Sequence, residues 1–79
     1  MPEVGPRIAL ERFTLLTQGE VYGLVDIVDH EAATVTLSAL PDHPLELATD
    51  RAVQFVAAWR LRAELEPQRY ELRAEQREL

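Results

Sequence analysis

The sequence predicts an α+β fold: a three-stranded antiparallel meander packed against one long C-terminal helix with a charged helical tail. Three observations carry this expectation. Residues 7–40 are rich in Val, Ile, Leu, Thr and aromatics and are broken only at two turn-forming stretches. Residues 52–65 contain neither Gly nor Pro and are apolar around most of a helical circumference. The chain is 79 residues long, 47% hydrophobic and free of cysteine, so it forms one domain that no disulfide staples.

Taken in order, residues 1–6, with Pro2, Gly5 and Pro6, read as a flexible N-terminal arm. A single β-β-β-α domain covers residues 7–66. Its first break, Thr17-Gln18-Gly19, reads as a three-residue hairpin loop that sets Leu16 opposite Glu20 and Phe13 opposite Gly23. The second break, Asp29 to Ala33, reads as a five-residue loop that sets Ile27 opposite Val35 and Val25 opposite Leu37. With both hairpins in register, Phe13, Leu15, Val21, Val25, Ile27, Val35, Leu37 and Ala39 form the core face.

The opposite face is polar on the third strand, through Thr34, Thr36 and Ser38, but not on the first two. There Ile8, Leu10, Leu16, Tyr22, Leu24 and Val28 form an apolar patch, and a patch of that kind on an outer face implies a partner. After the loop Pro41-Asp42-His43-Pro44, the segment Leu45-Glu46-Leu47 either adds a short fourth strand or covers the core.

Thr49 or Asp50 is expected to cap the helix that follows, with an acid near its positive end. Its apolar surface exceeds one stripe, so Phe55 and Trp59 are candidate core or interface anchors. Pro67 interrupts the helix or restarts it. Residues 67–79 then read as a charged, partner-dependent helical tail in which Arg69, Arg73 and Arg77 recur every fourth residue. These arginines are the candidate tail site for a partner.

Charge and composition narrow the function. The net charge is −6, and all of the excess lies in residues 1–48, which hold eight acids against two arginines. Residues 49–79 hold six of each. That distribution disfavours phosphate binding by the sheet half, and the glutamates interleaved in the tail leave it without net positive charge. All basic residues are arginine, and lysine and asparagine are both missing, a pattern that fits a GC-rich coding sequence.

No constellation of catalytic type stands out. Ser38 is the sole serine and sits mid-strand, and Gly5, Gly19 and Gly23 are too dispersed to cradle a phosphate. Asp29-His30-Glu31 and Asp42-His43 supply metal-ligand types, but the third strand holds them roughly 23 Å apart. The expectation is therefore a cytoplasmic, acidic, non-catalytic protein-interaction module without a cofactor. Its expected partner is a second copy of the chain, as a homodimer or larger assembly, or else another protein. Nucleic-acid binding through the arginine tail and a small metal-dependent protein using the Asp-His loops are the alternatives. No segment suggests a membrane span.

Overall fold

A computed structural model describes residues 9–78, so the expected arm at residues 1–6 lies outside the described residues. The elements are β1 (Ala9–Thr17), β2 (Glu20–Val28), β3 (Ala32–Leu37), β4 (Leu45–Leu47), α1 (Thr49–Leu65) and β5 (Tyr70–Glu78). The strands form one antiparallel sheet in the order β4-β3-β2-β1-β5. The α+β class and the meander with its helix therefore hold, and the sheet is wider than expected. Leu45–Leu47 pairs with β3 as the short fourth strand, and the tail supplies a fifth beside β1.

The tail is thus a strand, not a helix. Its Glu, Arg, Ala and Gln residues favour a helix intrinsically, but from Tyr70 to Arg77 the chain also alternates with period two. Tyr70, Leu72, Ala74 and Gln76 fall on one face and Glu71, Arg73, Glu75 and Arg77 on the other. Pairing with β1 satisfies the strand's backbone and buries part of the first set, which outweighs weak propensity. Pro67 lies in the turn that reverses the chain, where the Arg69 and Tyr70 amides donate to the Glu66 carbonyl at 2.9 and 3.0 Å.

The first hairpin turns in two residues, not three. Gln18 and Gly19 have φ of 53° and 81°, the left-handed pair of a tight hairpin turn, and Thr17 faces Glu20. The register then shifts between Leu15 and Leu16, so that Leu16 faces Val21 while Leu15 faces Gly23 and Phe13 faces Val25. Tyr22 is the extra residue of this β-bulge. The expected pairing of Phe13 with Gly23 is displaced accordingly. Asp29 and His30 also take left-handed φ, 54° and 59°, which shortens the second loop and sets Ile27 opposite Ala33 and Val25 opposite Val35.

Both corrections keep the strand parity over most of the sheet, so the core face survives. Leu15 and Val25 are fully buried and pack with Ile27, Ala33 and Val35 against Ala52, Val56 and Trp59 of α1. Phe13, Leu37, Leu47, Phe55, Tyr70 and Leu72 are partly buried around this cluster. Two expected core residues are not in it. Val21 lies beyond the bulge, where parity is reversed, and is 44% exposed, while Ala39 is exposed in the loop after β3. The helix begins before either expected cap, Thr49 or Asp50: Ala48 holds the extended N-cap position without a side-chain cap, and Asp50 lies in the first turn, where its carboxylate accepts from the Arg51 amide at 2.9 Å.

Candidate interaction surfaces

The outer face of the sheet carries Leu10, Arg12, Thr14 and Leu16 of β1 and Val28, Asp26, Leu24 and Val21 opposite them on β2. At its centre the Arg12 guanidinium grips Asp26 with two hydrogen bonds, Nε to Oδ1 at 2.8 Å and a terminal nitrogen to Oδ2 at 3.0 Å. Hydrogen bonding to Asp26, and then its charge, hold the Arg12 pKa above the ordinary arginine value, against a smaller opposing effect of burial. A forked, charged pair therefore divides the apolar residues of this face: Leu10 and Val28 lie on one side, and Leu24 and Leu16 on the other.

This alters the expected patch. Leu16 is buried, and Leu10, Leu24 and Val28 are half-buried, so the face exposes less apolar surface than the sequence suggests. Ile8 lies outside the described residues. Tyr22 belongs to the other face, because the bulge turns it toward the helix, where its ring stacks on Trp59 at 5.0 Å between centroids. Sequence parity alone assigns Tyr22 wrongly, and only the unforeseen bulge corrects it.

On the inner side, Trp59 is the hub of an aromatic cluster within the chain. Tyr70 meets it edge-on at 5.4 Å, and the Arg62 guanidinium lies 5.9 Å from the Trp59 ring centroid and 5.6 Å from that of Tyr70. The indole Nε1 donates to the Glu71 carbonyl of β5 at 3.1 Å, which ties the last strand to the helix. Trp59 is thereby a core anchor with 7% exposure, and Phe55 packs half-buried beside the same core.

Exposed apolar side chains remain at Val21, Tyr22, Leu40 and Leu45 and, in an unbroken row, along α1. Val53, Ala57, Leu61 and Leu65 recur every fourth residue and form one ridge, with Val53, Leu61 and Leu65 at 52%, 54% and 72% exposure. A shallow groove of about 760 Å³ opens beside the start of the helix, between Phe55 and the β3–β4 side of the sheet, with Asp50 and Arg51 at its rim.

The tail arginines are all engaged. Arg69 pairs with Glu66 at 3.6 Å, Arg73 with Glu71 at 2.7 Å and Arg77 with Glu75 at 3.3 Å. His30 Nδ1 lies 3.4 Å from Glu11 Oε1, whereas His43 sits in the loop at the other end of β3. Among the described residues no group of three or more His, Cys, Asp or Glu side chains could hold a metal ion, and no helix is long and apolar enough to cross a membrane.

The two sheet edges differ. β4 is three residues long, while β5 is nine residues long and, among the described residues, pairs on its β1 side only. Comparison with protein-family models, with curated proteins and with solved structures gives no match.

Proposed function

We propose that this chain is a small, acidic, non-catalytic protein-interaction module of the cytoplasm, and that its partner is a second copy of itself engaged through the helix-and-tail side. The observation that carries this reading is the solvent-facing ridge Val53, Ala57, Leu61 and Leu65, continuous along a helix whose other face is already buried. A small domain with one thin core gains most from covering such a surface. The outer sheet face has less support as the contact, because the Arg12–Asp26 pair interrupts it. Nucleic-acid binding through Arg69, Arg73 and Arg77 also has less support, since Glu66, Glu71 and Glu75 lie beside them and leave the tail without net positive charge to attract a phosphate backbone.

Light scattering after size exclusion tests the reading. The expected result is a dimer or larger species at high micromolar concentration that dissociates on dilution. A strictly monomeric protein across that range would contradict it.

A further inference from the structure

We propose that the edge of β5 turned away from β1, which pairs with no strand among the described residues, joins β5 of a second copy, antiparallel and with Ala74 on the two-fold axis, so that two sheets become one. This rests on the self-association reading above and assigns the tail's share of the helix-and-tail contact to the edge of β5. The first support is the direction of the backbone groups. The Gln18 amide donates to the Arg69 carbonyl at 2.7 Å, which makes Thr17 and Tyr70 a pair without mutual hydrogen bonds. Counting along the antiparallel ladder, Glu71, Arg73, Glu75 and Arg77 direct their N–H and C=O groups at β1. Leu72, Ala74 and Gln76 therefore direct theirs away from the sheet, toward the open edge. Such a row of groups, unpaired among the described residues, is a template for another strand.

Backbone geometry alone admits several registers, and side-chain charge selects among them. The outer-face sequence Glu71, Arg73, Glu75, Arg77 becomes its own complement when read backwards. With Ala74 opposite Ala74 of the second copy, Glu71 faces Arg77 and Arg73 faces Glu75, and symmetry repeats both pairs. All four are opposite charges. They also fall at the pairs without mutual hydrogen bonds, where facing side chains come closest. Leu72 and Gln76 of the two copies then exchange backbone hydrogen bonds on either side of the Ala74 pair.

Sliding either strand so that the axis moves to Arg73 or to Glu75 brings arginine opposite arginine or glutamate opposite glutamate. The pattern thus favours the Ala74 register over both neighbours; an axis on Leu72 or Gln76 also opposes unlike charges, but only Ala74, the middle residue of β5, lets the whole strand pair. Within one chain, Glu71–Arg73 and Glu75–Arg77 are pairs two residues apart, with every side chain about half or more exposed, so these groups are free to turn to a facing strand.

A charge-swap experiment tests the register. Arg73→Glu and Glu75→Arg are made as separate variants, and sedimentation equilibrium measures the dimer constant of each and of an equimolar mixture. Alone, each variant sets like charges against each other twice, and its dimerisation is expected to weaken roughly tenfold or more. In the mixture every facing pair is again opposite, so heterodimers should recover affinity close to that of the native chain. Amide exchange gives an independent readout: Leu72, Ala74 and Gln76 should exchange more slowly as the native protein is concentrated, with Arg73 and Glu75 unchanged. A native dimer that both variants leave intact, but that Leu61→Asp dissolves, would overturn edge pairing while keeping self-association through the helix ridge. A native chain that is monomeric throughout would overturn both.

Discussion

The two faces of the sheet are built from the same strands and do different work. On the inner face, β2, β3 and β5 meet α1 and, with Leu15 of β1, exclude water, leaving Leu15 and Val25 with no exposed surface. On the outer face β1, β2 and β3 carry Arg12, Asp26 and the threonines Thr14, Thr34 and Thr36, and β5 adds alternating glutamate and arginine. The inner face supplies the stability, through apolar burial and aromatic packing. The outer face supplies alignment, because paired charges are worth little in water yet distinguish one register from the next. If this division is right, inner-face substitutions should cost several times more than outer-face ones.

The largest effect is expected at Trp59. Replacing it with alanine removes the ring on which Tyr22 stacks, the edge contact with Tyr70 and the hydrogen bond to Glu71. Large-to-small changes of this kind cost about 3–5 kcal/mol. A core of this size supplies roughly that much in total. Trp59→Ala should therefore be largely unfolded by circular dichroism in buffer, and Trp59→Phe, which keeps a ring but loses the donor, should fold with a lowered urea midpoint.

A smaller inner-face effect is expected at Gly23. A Cβ there would lie 3.0 Å from the Thr36 carbonyl oxygen and 3.2 Å from Leu37 Cδ2. The carbonyl belongs to the β2–β3 ladder and yields only if the strands separate slightly. Gly23→Ala is expected to destabilise by about 1–2 kcal/mol, as overpacking does. A urea midpoint equal to that of the native protein would mean that the bulge at Tyr22 absorbs the extra methyl group.

The contrast between the faces also explains what could be read from residues alone. Period-two alternation in β2 and β3 marks Val25, Ile27, Val35 and Leu37 as inward whatever the loop lengths, so the core face is legible although both hairpin loops are shorter than their turn residues suggest. Tyr22 was not legible, because its face depends on a bulge that only the pairing of two strands creates. The tail failed for a different reason. Arginines four apart suggest a helix row, while the same residues, taken with the glutamates between them, alternate every second position. Local pattern permits both readings. The deciding partner, β1, lies some sixty residues away in sequence, so no window along the tail contains it, and the place of β5 at the sheet's edge is hidden with it.

The smallest effect on folding is expected on the outer face, and it sharpens the comparison by setting two ion pairs against each other. Arg12 and Asp26 face each other across β1 and β2, with two hydrogen bonds and side-chain exposures of 34% and 26%. Arg73 and Glu71 are neighbours along β5, with one hydrogen bond and exposures of 66% and 51%. The first pair is fixed by strand register and partly shielded, and the second is solvated. A double-mutant cycle with alanine should give about 1 kcal/mol of coupling for Arg12–Asp26 and about 0–0.5 kcal/mol for Arg73–Glu71, measured on dilute protein so that association does not contribute. Added salt should reduce the second coupling toward zero and leave much of the first, because partly buried, hydrogen-bonded charges are screened less. Equal couplings that fall together with salt would mean that Arg12–Asp26 is one more solvated surface pair, and alignment of β1 with β2 would then rest on the Gln18-Gly19 turn and the Tyr22 bulge alone.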